Sequence, residues 1–178
     1  MRANSYFEAT ARARIAGLLD SGSFREFLPP WDRVISPHLG ELGAPSAFDD
    51  GVIVGAGTLA ANPVLAAAQE GGFMGGAVGE VHGAKLTGLF ERAQIERPAA
   101  VLLLLDSGGV RLHEANAGLI AVSEVMRALL KTRAQGISVI ALIGGAFGCF
   151  GGTGIVARCC DAIIMSEEGR LGMSGPEV

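Results

Sequence analysis

The stretch Leu102-Leu-Leu-Leu-Asp-Ser-Gly-Gly109 runs four leucines straight into an acid, a hydroxyl and two glycines. An apolar run without polar alternation reads as a strand buried on both faces, as in a parallel sheet covered by helices. The plan occurs twice. "AVLLLL" (100–105) leads through Asp106-Ser-Gly-Gly109 into a helix whose Leu119, Val122, Met126 and Leu129 share a face. "SVIALI" (138–143) leads through "GGAFGCFGGTG" into an apolar helix reaching Cys160, with a further strand, "AIIM" (162–165), behind it. Strands alternating with helices give an α/β fold with a parallel sheet. Upstream, "VIVGAGTLA" (52–60) and "VLAAAQ" (64–69) flank Ala61-Asn62-Pro63 as a hairpin. The glycine-rich "EGGFMGGAVGEVHG" then feeds a helix with Val81, Leu86, Leu89, Phe90 and Ala93 on one face, ending near Arg97-Pro98.

The first fifty residues follow other rules. "SYFEATARARIAGLLD" (5–20) has apolar residues at helical spacing and stops at Ser21-Gly22. From Phe24 to Asp50, Pro29, Pro30, Pro37 and Pro45 break any period, so this segment reads as irregular chain crossing a surface, with Trp31 packed rather than binding. Residues 1–50 are therefore expected to form a helical and irregular N-terminal arm, and 51–178 the core, of one domain covering 1–178. The chain stops at "RLGMSGPEV" with no closing helix, which is expected of a truncated chain or of one that a partner completes.

Composition narrows the function. With 178 residues and 49% hydrophobic content, the chain can bury a sizeable core. Its 14 Lys+Arg against 18 Asp+Glu give a net charge of −4 with no basic cluster, which argues against a nucleic-acid partner. Apolar runs shorter than a bilayer span and an N-terminus without a signal-peptide core argue for a cytoplasmic protein with no membrane partner. Cys149, Cys159 and Cys160 form no C-x-x-C pair, so no metal is expected. Cys159 and Cys160 read as small core hydrophobes, and Cys149, in a glycine loop, as the better candidate for reactivity.

The 27 glycines fall in clusters between apolar segments, so each cluster needs a backbone reason. Neighbouring parallel strands deliver their loops to one sheet edge, where open α/β sheets hold ligands. There, glycine admits a close ligand, and a following helix offers free N–H groups and the positive end of its dipole. Two N–H groups aimed at one point would hold the oxygen of a thioester enolate. The competing reading is that the glycines only allow close helix–sheet packing. Other chemistry finds little support. Gly152–Ala157 and Gly55–Ala60 both match a dinucleotide fingerprint, which devalues each, and without G-x-S-x-G, Ser107 and Ser174 are poor nucleophiles. His82 and His113 read as structural or surface residues, Lys85 as part of a solvated helix face, and Asp106 and Glu114 as braces of a helix N-terminus.

The motifs "ARARIAGLLDSGSFREF", "FDDGVIVGAGTLAANPV", "FMGGAVGEVHGAKL", "LLLLDSGGVRLHE", "GGAFGCFGGTG" and "LGMSGPEV" occur here in order. Together they resemble the carboxyltransferase branch of the crotonase superfamily, most closely the β subunits of biotin-independent malonate decarboxylases. The resemblance implies a crotonase-like β-β-α spiral. It also implies decarboxylation of a malonyl thioester, carried on the prosthetic group of an acyl carrier protein, to an acetyl thioester, with no cofactor bound by this chain. A homologous γ subunit is the implied partner, in a larger hetero-oligomer with an acyltransferase subunit. Gly109 and Gly152 match the oxyanion donors, with Gly108 and Gly151 as one-residue alternatives. Gly75, Gly76 and Gly79 match the first glycine loop, near the thioester arm. Phe147, Phe150 and Val110 are the expected dry wall around the leaving carboxylate. The alternatives are a carboxyltransferase subunit of a biotin-dependent enzyme, a relative whose bacterial β subunits often carry a zinc ribbon absent here, and a non-catalytic partner subunit.

Overall fold

The computed structural model describes residues 5–175. Pro176–Val178, the last residues of the "SGPEV" terminus, lie outside the described residues. Helix α1 (Ala11–Leu18) is followed by strands β1 (Arg25–Glu26), β2 (Val52–Leu59) and β3 (Asn62–Gln69). After them come α2 (Glu80–Glu96), β4 (Ala100–Leu105), α3 (Asn116–Ala134), β5 (Ser138–Ile143), α4 (Gly151–Arg158) and β6 (Ala162–Met165). The strands form one sheet in sequence order, antiparallel from β1 to β3 and parallel from β3 to β6.

The leucine run is buried on both faces, and the two faces meet different partners. Val101, Leu103 and Leu105 point with Val54, Leu65, Val139 and Ile143 toward α2, α3 and α4, against Leu86, Phe90, Val125 and Leu129. Leu102 and Leu104 point the other way and join Ile53, Val64, Ala66 and Ala68 under Ala11 and Ile15 of α1 and Leu19 just after it. Side chains alternate along a strand, so a run apolar at every position needs a cover on each side. The N-terminal arm is that second cover.

Several boundaries differ from the sequence reading, each for a local reason. The first helix covers Ala11–Leu18 rather than 5–20, because Thr10 caps it by accepting the Ala13 N–H and Leu19 turns extended. The hairpin turn is Ala60-Ala61, not 61–63, and Asn62 and Pro63 pair within β3. Both alanines have positive φ, the conformation of a two-residue hairpin turn that normally selects Asn or Gly. Asp20 compensates: its carboxylate accepts from Ala60 N (3.0 Å), Ala61 N (2.9 Å) and the Thr58 hydroxyl (2.6 Å). Within the irregular segment, Arg25 and Glu26 pair with β2, and Trp31, expected to pack, is 80% exposed. On α3 the buried face is Ala121, Val122, Val125, Ala128 and Leu129, while Leu119 faces solvent. Lys85 is buried rather than solvated: its amine donates to the carbonyls of Asp49 (2.7 Å) and Val52, and burial lowers its pKa. No helix among the described residues is long and apolar enough to cross a membrane.

Candidate oxyanion site

Three loops leave the C-terminal ends of β3, β4 and β5 at one sheet edge. The first holds Gly71 to Gly79, the second Asp106 to Ala115, and the third Gly144 to Phe150. The second and third are laced together: Ser107 N donates to Gly148 O (2.7 Å) and Phe150 N to Ser107 O (3.0 Å). Gly109, at φ +126°, a backbone conformation open in practice only to glycine, lies against the start of α4. A Cβ placed on it would be 3.3 Å from Phe150 O and 3.8 Å from Gly152 N. Gly108, Gly109, Gly151 and Gly152 are thus brought together.

Their N–H groups are not equivalent. α4 begins at Gly151, and among the described residues no acceptor faces the N–H of Gly151, Gly152 or Thr153; the first helical bond from this end is Gly154 N to Phe150 O (3.2 Å). These are the orphan donors of a helix N-terminus, with the positive end of its dipole behind them. In the second loop, Gly108 N donates to Gly75 O (2.8 Å) and Gly109 N to Ser107 Oγ (3.1 Å). The Ser107 hydroxyl also lies 2.9 Å from Thr153 Oγ1. The helix that follows the second loop starts only at Asn116, beyond a turn at Leu112–Glu114, so no helix dipole stands behind Gly109. Sequence reasoning missed this, and it missed Ser107 and Thr153, whose pairing across 46 residues leaves no local pattern.

In the first loop, Gly75 and Gly76 both have positive φ. Gly75 supplies the carbonyl that holds Gly108, and Gly76 lies against the Asp106 carbonyl, where a Cβ would overlap it. Gly79 precedes α2 and faces the buried Arg111 and Glu114 side chains. Of the three residues expected to form a dry wall, Phe150 is buried, Val110 half-buried and Phe147 exposed, its ring beside Gly71 and Gly75.

Beneath the loops runs a chain of buried polar side chains. Arg14 Nη2 donates to Asp106 Oδ2 (2.9 Å), and Phe147 N to Asp106 Oδ1 (2.7 Å). Asp106 N donates to Gln69 Oε1 (3.1 Å), so the Gln69 amide nitrogen faces His82 Nε2 at 3.2 Å. That makes His82 Nε2 an acceptor and leaves the ring proton on Nδ1, 3.2 Å from Asp50 O. Arg111 Nη1 bonds both Asp50 carboxylate oxygens (2.9 and 3.0 Å) and Glu114 Oε2 (3.3 Å). Burial first, then the charges of Arg111 and Lys85, pull the His82 pKa down to about 3, so the ring is neutral. Burial raises the Asp50 carboxyl, an effect that Arg111 opposes. Glu114 does brace a helix N-terminus, as expected, but that of α2, through Glu80 N (3.1 Å). Asp106 instead holds the third loop. His113 is exposed.

Cys149 is fully buried, and desolvation pushes its thiol up to about 12, which suits packing and not the reactivity considered for it. Cys160 is buried in the main core, with Cys159 packed beside it. Among the described residues no group of three or more His, Cys, Asp or Glu side chains is placed to hold a metal ion.

The malonyl-S-ACP:biotin-protein carboxyltransferase of Malonomonas rubra is 46% identical over 98% of this chain and 59% of its own length. The acetyl-coenzyme A carboxylase carboxyl transferase subunit beta of Fusobacterium nucleatum is 33% identical over the same shares, so the chain spans about three-fifths of these relatives. The crystal structure of a Pseudomonas malonate decarboxylase hetero-tetramer in complex with malonate superposes with a TM-score of 0.93 at 44% identity, covering 99% of this chain and 65% of that one. Residues 5–178 match the carboxyl transferase domain. The chain therefore belongs to the carboxyl transferase domain family, with the crotonase-like α/β fold expected of it.

Proposed function

We propose that this chain is the β subunit of a malonate decarboxylase and stabilises the enolate formed when a malonyl thioester, carried on an acyl carrier protein, loses CO2. The observation that carries the reading is the meeting of Gly109 with the start of α4, where the Gly151 and Gly152 amides have no acceptor among the described residues. As the bond between Cα and the carboxylate breaks, its electron pair moves toward the thioester carbonyl, and the oxygen gains negative charge. Gly152 N–H meets that oxygen with the α4 dipole behind it. Gly109 N–H, which donates to Ser107 Oγ in this structure (3.1 Å), is the second donor once the oxyanion replaces that acceptor. Gly108 and Gly151 set the backbone height of this pair. Cα then takes a proton to give the acetyl thioester. One preorganised donor is worth roughly 3 kcal/mol of barrier, so the hole can dominate the chemistry.

Gly75 and Gly76, with Gly79 behind them, flank the path of the thioester arm. The exposed Phe147 closes over the leaving carboxylate once a homologous γ subunit covers the loops, in a cytoplasmic assembly that also holds an acyltransferase subunit. Support for the heteromer is the likeness to the Pseudomonas hetero-tetramer.

A second reading keeps the same hole: transfer of the carboxyl group to a biotin protein, the activity for which the Malonomonas relative is named. Labelled CO2 followed from malonyl carrier with excess avidin present separates the two. Undiminished release with acetyl carrier as product is expected; avidin-sensitive turnover moves the chain to the carboxyltransferases.

A further inference from the structure

The ion pair between Arg14 and Asp106 sits away from any solvent, each side chain 3% exposed or less, at the point where all three glycine loops converge. Arg14 comes from α1, on the far face of the sheet, and its Nε and Nη2 also donate to the carbonyls of Tyr6 (3.0 Å) and Phe7 (3.3 Å). Asp106 meets the third loop through Phe147 N and its own loop through the chain, while Gly71 and Gly145 have room for no side chain because the carboxylate fills the space a Cβ would need. Gly76 is moulded in the same way to the Asp106 carbonyl. Burying two charges is costly, and an apolar pair of similar volume usually serves stability as well or better. A pair placed at the junction of the loops is therefore better explained by what it holds in register.

We infer that Asp106, backed by Arg14, is a positioning residue for the oxyanion hole: through the Phe147 N–H it fixes the third loop, and with it the Gly151–Gly152 amides, at the height of Gly109. The inference rests on the enolate-stabilising reading above.

The test compares Asp106→Ala with Asp106→Asn in the enzyme assembled with its partner subunits. Both remove the ion pair and leave Arg14 uncompensated, so both lower the melting temperature, Ala further because it also leaves Phe147 N–H without its acceptor. Only Asn keeps an acceptor for Phe147 N–H. With Ala, kcat is expected to fall at least about tenfold while KM for the malonyl carrier stays within about threefold; with Asn, kcat stays within about threefold of wild type, as befits misplaced rather than lost donors. Amide hydrogen exchange across residues 144–153 should accelerate with Ala and not with Leu129→Ala, a core change on α3. Should Asp106→Ala fail to assemble, Gly145→Ala pushes the same loop off the carboxylate and should give the same kcat loss. Equal kcat for the Asn and Ala variants, or unchanged exchange in 144–153, overturns the inference. A wild-type assembly that turns over no malonyl carrier sinks the functional reading instead, and the exchange data still decide what Asp106 holds.

Discussion

The second and third glycine loops look alike in sequence and differ in what their backbone has left to offer. In "DSGG", Gly108 and Gly109 spend their N–H groups on Gly75 O and Ser107 Oγ, and the next helix begins seven residues later. In "CFGG", the helix starts at once, and the amides of Gly151 and Gly152 meet no acceptor among the described residues. A glycine pair after a parallel strand thus marks close approach, but the distance to the following helix decides whether free donors and a dipole come with it. The two halves of the proposed hole are unequal: one is standing open, the other is held by a hydroxyl.

The sharpest way to break this contrast is Gly152→Pro. Proline is tolerated in the first turn of a helix and here removes an N–H that no group among the described residues accepts. Turnover should fall about 10²–10³-fold with little change in KM, measured as CO2 release from malonyl carrier. A loss confined to melting temperature would mean that the glycine serves only packing against Val110 and Val122.

A smaller effect is expected from Ser107→Ala, which removes the acceptor now holding Gly109 N–H. If that amide is the second donor, kcat/KM rises about threefold, because the oxyanion no longer competes with the hydroxyl. A fall of two orders of magnitude would show instead that the hydroxyl itself meets the substrate.

The last contrast is read in stability, not turnover, from the buried chain beneath both loops. His82 is neutral in the folded protein, with a pKa near 3 against 6.5 in an unfolded chain. Between those values the unfolded state binds the extra proton, so this contribution to stability is whole above pH 6.5 and drains away as pH falls toward 3, by at most about 1.4 kcal/mol per pH unit. Melting temperatures of wild type and His82→Gln, taken from pH 7 to pH 4, should diverge at neutral pH and converge on acidification. Parallel curves would place the proton elsewhere.

The leucines of β4, the alternation of strands with helices and the meeting of the glycine loops were legible because each depends on local pattern: apolar period, strand length, a break before a helix. What stayed hidden was long-range. Arg14 and Asp106 are 92 residues apart, and neither carries a neighbour that points to the other. Lys85 could not be read as buried, because its partners are main-chain carbonyls of Asp49 and Val52, which no side-chain pattern reveals. Trp31 misled for the opposite reason, since a large aromatic is normally packed and this one is not.

The Ala60-Ala61 turn ties the hairpin to the N-terminal arm. Its left-handed backbone is supplied by no favourable residue of its own; the compensating carboxylate of Asp20 arrives from 40 residues upstream. The β2–β3 hairpin is then not held by its own turn residues alone: the end of α1 comes across the sheet to secure it. A change at Asp20 should therefore loosen a turn that lies 40 residues away in sequence.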